Sequence, residues 1–559
     1  MPGVFRLLSV FFLTTMPRRN PACRTTPCKV AIFGSNPQNN VGMKKRTRLM
    51  SLAVLAMAVV VMAGCQKEEL TVGDGVHFAT TLKMAGGGTK ALDNSGHKTF
   101  AVGDRVAVVY QNTSGNTVKA VSGALTEDDI SSSGKVANFS VMLDNPDNTK
   151  QVTYIYPASM AKNDGSVNYD ALKTQDGTLT TLASDLDLCT YTGSWSDGNL
   201  PTNVQMTNQL VICSFKIKKD GDMMNTVTSS VTRFTVKHGT DIYTVIPSSL
   251  DEIWVALKPV TSGDITFYSA QGKDLYKKTV SGKTLAAGNI YPIVLNTDRV
   301  EGAVSGLFSI DESGDLYYFS KGNLQATYGG GSWSWGFATN QYDYIGNNSG
   351  NTSVANTSPY IENNGTVDLF GWSTSSTYFG IHYSSSDGTY VGDFVDWGTN
   401  VGTANQWHTM TGGEGGYDNS EWEYLLKIRS ASTVGGTADA RYAKVKVNGI
   451  CGVMLFPDNY THPDGIAVPT GINDPHSSNW GGCDYTIAEW GQIEAAGAVF
   501  LPAAGIRQGQ TVVGEGDGRY WSSTSFGEYT ADCLRFWQYD LKHDGPYRYY
   551  GHSVRLVGK

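Results

Sequence analysis

The sequence predicts a mainly β protein in which a β-sandwich or pair of sandwiches is followed by an α+β domain. Three observations predict this. Short alternating or β-branched runs recur from Val76 to Leu295, with Gly, Asn, Asp and Ser clusters between them. No helical period of useful length appears in that stretch. The convincing helix signals, capping boxes at Ser420 and Thr486, both come late in the chain. At 559 residues the chain is long enough for several separate cores.

From Met43 the sequence reads MKKRTRLMSLAVLAMAVVVMAGCQKEEL, a basic cluster (Lys44, Lys45, Arg46, Arg48) followed by an apolar run from Leu49 to Ala63. The run is too short to span a bilayer and ends in small residues, so 43–64 reads as a secretory signal peptide. Residues 1–42 read as a start called too far upstream. Met62-Ala63-Gly64-Cys65 resembles a bacterial lipobox, which implies lipidation of Cys65 as the first mature residue. Gln66-Lys67-Glu68-Glu69 resembles the surface-export signal of some lipoproteins, which implies the outer face of an outer membrane, with the lipid as the sole membrane contact.

Loss of residues 1–64 lowers the Lys and Arg count from 43 to 34 against 51 Asp and Glu, so the formal charge moves from −8 to −17. Phosphate binding relies on clustered Lys and Arg, so nucleic acid is an unsuitable partner. After Cys65 come Cys189, Cys213, Cys451, Cys483 and Cys533, widely spaced and without a C-x-x-C, which argues against a disulfide scaffold and a zinc site.

In residues 65–298 the strand-like runs include DRVAVVY, QVTYIYP, LVICSFKIKK, DEIWVALKP, DITFYSA and NIYPIVLN. FAVGDRVAVVY (100–110), VTYIYPAS (152–159), SDLDLCTYTG (184–193), MTNQLVICSFKIKK (206–219) and LAAGNIYPIVLN (285–296) together resemble the fimbrillin family of surface and pilus proteins. That resemblance implies two tandem β-sandwich subdomains and a chain that polymerises by strand addition, or caps or anchors such a polymer. Asn208 stands where many relatives place His.

TDRVEGAVS (297–305) is polar and small, and a linker is expected over 299–306. Beyond it, over 307–559, composition shifts towards Trp, Tyr, Gly and Ser. Ser420-Glu421-Trp422-Glu423 opens a helix expected to run to about Ser430, with Trp422, Leu425, Leu426 and Arg429 on neighbouring turns, and Thr486-Ile487-Ala488-Glu489 opens another to about Ala496. YYFSKGNLQ (317–325), WSWGFATNQYDYIG (333–346), DLFGWSTS (368–375), SEWEYLL (420–426), RYAKVKVNGICGVMLFPDNY (441–460), AGAVFLPAAGIR (496–507), GRYWSST (518–524) and GHSVRLV (551–557) resemble the C-type-lectin-like fold of FISUMP-type major paralogous domains and formylglycine-generating-enzyme relatives. In some gut bacteria such domains are variable proteins of diversity-generating retroelements, whose mutable positions fall in the closing stretch.

In that stretch, CLRFWQYDLKHDGPYRYYGHSVRLV, pleat alternation puts Leu534 and Phe536 on one face and Cys533, Arg535, Trp537 and Tyr539 on the other. Arg, Trp and Tyr are the residue types that dominate binding hot spots. The expected ligand surface is Trp521, Cys533, Arg535, Trp537, Tyr539, Tyr547, Arg548, Tyr549, Tyr550 and His552. The bland alternative is that these aromatics cover their own domain.

No catalytic residue, metal ligand or cofactor is expected. The calcium-lectin tripeptides Glu-Pro-Asn, Gln-Pro-Asp and Trp-Asn-Asp do not occur, and Phe456–Asn459 and Gly514–Asp517 read as solvated turns. Gly371–Ser375 lacks the closing glycine of a nucleophile elbow, His408 and His462 read as loop residues, and no motif surrounds Cys483 or Cys533. The expectation is a lipid-anchored surface adhesin or receptor, its partner an unidentified host, bacterial or phage surface protein or glycan, or another fimbrial subunit. The alternatives are a fimbrial tip or cap subunit and a formylglycine-generating-type enzyme.

Overall fold

Alternation of apolar side chains builds the first sandwich. In Val136–Leu143 the odd positions Ala137, Phe139, Val141 and Leu143 are buried while Asn138, Ser140 and Met142 face out. This strand pairs antiparallel with Val76–Lys83, from Val76 opposite Leu143 to Lys83 opposite Val136. The facing sheet runs Thr207–Asn208, Cys189–Ser194, Gln151–Tyr156, Ala107–Gln111, Thr117–Val121. Phe100 joins the two layers, edge-on to Phe139 at 5.5 Å and to Tyr156 at 5.2 Å. The computed structural model describes residues 75–84, 99–219, 221, 224–347, 349–355, 365–384, 386–413 and 419–559. The signal peptide, Cys65 and residues 1–42 lie outside the described residues.

The second sandwich is one eight-stranded sheet curled on itself. Val211–Lys219, VICSFKIKK, is buried along nearly its whole length, as a strand covered on both faces must be. It pairs parallel with Ile290–Arg299 and antiparallel with Ile253–Leu257. Phe215 meets Phe234 at 4.9 Å and Phe267 at 5.5 Å, which closes the core between the two halves of the sheet. The chain is mainly β, as the alternation predicts.

In the C-terminal region Tyr318–Phe319 pairs with the last strand, Leu556–Gly558, Phe319 opposite Val557. A four-stranded sheet runs Asp484–Tyr485, Tyr442–Val447, Ile450–Leu455, Val499–Pro502, and a three-stranded sheet runs Gly518–Ser525, Ala531–Trp537, Asp540–Asp544. Helix Ile487–Ala495 carries the reciprocal box of Thr486 and Glu489. At Ser420 the box is half made. The Ser420 hydroxyl accepts the Glu423 N–H, but the Glu423 carboxylate pairs with Lys427 at 2.8 Å. The expected helix is only Glu421–Glu423, continuing as a wider turn over Tyr424–Ile428. Trp422, Leu425, Leu426 and Arg429 still point inward. Buried Arg429 donates to Asp458 and to the Phe456 carbonyl, each at 2.6 Å, so the Phe456–Asn459 turn locks the core instead of being a solvated turn. No helix among the described residues is long and apolar enough to cross a membrane.

The expected linker is not an exposed tether. Only Glu301 and Gly302 retain substantial exposure between Val300 and Gly306, while Ala303, Val304 and Ser305 are buried. The reason is that the second sandwich docks on the C-terminal region. Tyr268 and Leu275 of the sandwich join a core with Leu307, Leu316 and Tyr318. Arg233, also from the sandwich and buried, donates to the carbonyls of Ser305 at 2.7 Å and Ala496 at 2.9 Å. Asn459 donates to Thr244 at 2.7 Å across the same junction.

Candidate ligand-binding face

The three-stranded sheet Gly518–Ser525, Ala531–Trp537, Asp540–Asp544 carries most of the predicted site residues, and its register decides where each one points. Arg519 lies opposite Arg535, Trp521 opposite Cys533, Cys533 opposite Asp544, and Trp537 opposite Asp540. One face presents Tyr520, Leu534, Phe536 and Leu541 to a core shared with Phe308, Phe319 and Trp422. The other face presents Arg519, Trp521, Cys533, Arg535 and Trp537. The predicted alternation of Leu534 and Phe536 against Cys533, Arg535 and Trp537 is therefore the alternation of the structure.

That second face is not exposed along its length. Trp521 and Cys533 are buried within a core that includes Phe370, Trp372 and Val554. His552, fully buried, stacks on Trp521 with ring centroids 4.2 Å apart. Arg548 is also buried. Its Nε donates to Thr530 O, Nη1 to Tyr390 O and Gly392 O, and Nη2 to Gly527 O. Its guanidinium lies 4.2 Å from the Trp372 ring. Trp521, Cys533, Arg548 and His552 are thus corrected from surface to interior. The cause is the returning segment after Asp544, which folds over that half of the sheet and bridges Tyr547 to Thr530 and His552 to Phe370. Burial, followed by the charges of Arg519, Arg535 and Arg507, holds the His552 imidazole well below its ordinary pKa, and burial pushes the Cys533 thiol well up. A protonated, buried thiol is a poor nucleophile.

In the middle of the face two arginines and two carboxylates form a closed network. Arg535 Nη2 is 2.9 Å from Asp517 and its Nη1 3.3 Å from Asp544, while Arg519 reaches the same two carboxylates at 3.4 and 3.2 Å. The Gly514–Asp517 turn therefore places the Asp517 carboxylate on arginine. Among the described residues no group of His, Cys, Asp and Glu is arranged to hold a metal ion.

The two ends of the strand remain accessible. At one end Trp537 is half-buried with Arg535 4.3 Å and Lys542 5.4 Å from its ring, and Tyr539 is 64% exposed. At the other end Tyr547 stacks on Tyr549 at 5.2 Å, and Tyr550 sits edge-on to Tyr549 at 4.9 Å. Thr530, which bridges Tyr547, is seven positions from Trp537 along an extended strand. At roughly 3.3 Å per residue the two aromatic groups are about 23 Å apart. The structure brings Tyr547, Tyr549 and Tyr550 together, and Arg535, Trp537 and Tyr539 together, but does not merge the two into one array.

Beside the tyrosines lies a hairpin tip the sequence reading missed. Phe526 and Gly527 both donate their N–H to Thr530 O, and the tip displays Phe526 (52% exposed) and Tyr529 (40% exposed). The signal was present in SFGEYT, a Gly-centred turn between two strand-like runs.

Elsewhere His408 lies 3.1 Å from Glu421 and His462 3.0 Å from the Tyr460 hydroxyl, and the five described cysteines are free thiols. No family model matches the chain, and none of the curated proteins matches it. Among solved structures it is similar to a fimbrial protein from Bacteroides ovatus ATCC 8483, at 10% identity and a TM-score of 0.22 over 87% of this chain and 100% of that one. It is also similar to a fimbrial assembly protein from Parabacteroides distasonis ATCC 8503 (9% identity, TM-score 0.25, 44% of this chain and 94% of that one). A streptococcal ancillary pilin gives 8% identity and a TM-score of 0.15 over 47% of this chain and 82% of that one. At TM-scores this low the likeness carries no argument about architecture or function.

Proposed function

We propose that the chain is a surface adhesin or receptor, lipid-anchored at Cys65 in the outer membrane, whose fimbrillin-like sandwiches carry a C-type-lectin-like ligand-binding domain over 307–559. One observation carries the binding role. Among the described residues five Phe, Tyr or Trp side chains are exposed, Tyr169, Phe526, Tyr529, Tyr539 and Tyr547, and four of them fall within 526–547. Exposed aromatics gathered in one segment cost solubility, and they repay it where a partner covers them. The docked junction through Arg233 supports the reading by making the sandwiches a stiff carrier for that segment.

A second reading, a fimbrial tip or cap subunit, is favoured by the second sandwich. Asp274–Val280 and Ile290–Arg299 pair only at Tyr276–Arg299 and Lys277–Asp298, then diverge. Between them opens an apolar cavity of about 360 Å³ lined by Phe215, Phe267, Val280, Tyr291 and Ile293. An unpaired edge beside an apolar slot suits an added strand.

A glycan and protein array probed with the mature chain tests the adhesin. The expected result is a target bound by the wild type and lost on joint Phe526→Ala, Tyr539→Ala and Tyr547→Ala substitution. Binding that survives the triple substitution would overturn the reading.

A further inference from the structure

The turn that displays Tyr539 is one its own residues do not dictate. Trp537 pairs with Asp540, so Gln538 and Tyr539 alone close the hairpin between Ala531–Trp537 and Asp540–Asp544. Two-residue hairpin turns favour Asn or Gly at positive φ, because that twist matches the twist of the flanking strands. Gln538 and Tyr539 are neither, and neither has a positive φ. The turn is held by a contact from outside the hairpin.

That contact is Lys444, in the strand Tyr442–Val447 of the four-stranded sheet and fully buried. Its ammonium donates to the carbonyls of Pro475 at 2.8 Å, Gln538 at 3.2 Å and Trp537 at 3.3 Å, so its three N–H groups meet three main-chain acceptors. Burying an ammonium is costly, and an apolar side chain of similar volume would fill the position without that cost. What the lysine adds is geometry. It draws two successive carbonyls of the Tyr539 turn inward and ties them to the turn Asp474–Ser477, which Ser477 closes by donating to Asp474 O. His476, on that second turn, is thereby brought to 3.4 Å from the Tyr539 carbonyl and 3.5 Å from the Asp540 carboxylate. The His476 side chain is 75% exposed and Tyr539 is exposed beside it, so two loops remote in sequence present one surface.

We propose that Lys444 is the positioning residue for the Trp537 end of the ligand-binding face: from the interior it fixes Tyr539 and His476 as one preformed recognition surface, without touching the ligand itself. The proposal rests on the adhesin reading above and adds His476 to the contact residues of that reading. A tyrosine held in place before binding spares the partner the entropy of ordering a loose turn, so the contribution of Lys444 appears in affinity.

The experiment compares the mature wild-type chain with Lys444→Met, which fills similar space without a donor, by hydrogen–deuterium exchange of the free protein and by affinity for the array target. The expected result is exchange accelerated about tenfold or more over 476–477 and 538–541, with the tip 526–530 and residues 107–297 unchanged. Affinity should fall as far as it does in His476→Ala/Tyr539→Ala. Adding Lys444→Met to that pair should weaken binding no further, because the lysine acts only through the two turns. A lysine that merely stabilised the domain would leave exchange at 538–541 no faster than elsewhere, or would add a separate loss of affinity, and either result would overturn the positioning role. If Lys444→Met does not fold, Lys444→Gln, which keeps an amide donor on a shorter stem, is read by the same two measurements. Binding also separates the two claims. If it is lost with Phe526, Tyr539 and Tyr547 replaced but unchanged in Lys444→Met, the positioning role fails and the adhesin stands. If neither set of substitutions changes it, both fail.

Discussion

Arg535 and Asp517 meet at 2.9 Å on the face that was expected to be displayed, and Arg519 holds the same carboxylate from the neighbouring strand. Each arginine keeps a carboxylate if the other is removed, but neither can be removed from Asp517 without consequence. Arg535→Ala should cost about 1 kcal/mol, since Arg519 still pairs both acids. Asp517→Ala leaves two partly buried guanidinium groups with only Asp544 between them, and should cost about 2–3 kcal/mol. Urea unfolding of the two variants at low and high salt checks the order. Equal costs would mean the network is loose.

Phe536 and Trp537 are adjacent and should behave oppositely. Phe536 is fully buried and stacks on Tyr520 at 5.9 Å, so Phe536→Ala should destabilise by about 3–5 kcal/mol. Trp537 is half-buried, with Arg535 and Lys542 over its ring, so Trp537→Ala should cost about 1–2 kcal/mol. Thermal melts of both variants settle this.

Docking through Arg233 predicts the proteolysis pattern. Arg233→Ala strands the carbonyls of Ser305 and Ala496 inside the junction, at about 2–3 kcal/mol. Native wild-type protein should resist limited proteolysis over 299–306, and the variant should be cut there. Early cutting of the wild type at Arg299 would show that the junction opens readily.

Acid should weaken the C-terminal region through His382. Burial, with the nearby Arg507 charge second, lowers its pKa to about 4 from an ordinary value near 6.5, and the ring stacks on Tyr390 at 4.9 Å. A depressed folded-state pKa contributes stability that is complete above pH 6.5 and is lost as pH falls towards 4, because the unfolded chain takes up the proton first. His382 should account for about 3 kcal/mol of that loss. His382→Phe should flatten the pH dependence of the unfolding free energy between pH 6.5 and 4. A variant with the wild-type slope would show that His382 titrates normally.

How much of this was legible in sequence depends on which layer a residue belongs to. Period-two alternation placed Leu534 and Phe536 against Arg535 and Trp537, because a strand's own pleat settles which side chains share a face. It could not say how far each face is covered. Trp521, Cys533 and His552 are interior because residues 546–553 return across the sheet, a tertiary event with no local signature. Arg548 has the type of a surface residue, yet its donors satisfy carbonyls from two loops, the hairpin tip at Gly527 and Thr530 and the segment at Tyr390 and Gly392. The polar residues of 299–306 looked like a tether for the same reason: Ser305 is buried by Arg233, a partner seventy-two positions away.

The most direct test of the central claim, that the face over 526–550 binds the partner, is hydrogen–deuterium exchange of the mature chain with and without its array-identified target. Exchange should slow in the hairpin tip 526–530 and in 538–550, with 107–297 unchanged. Protection confined to 278–295 instead, along the open edge of the second sandwich, would contradict it and make the chain a strand-accepting structural subunit.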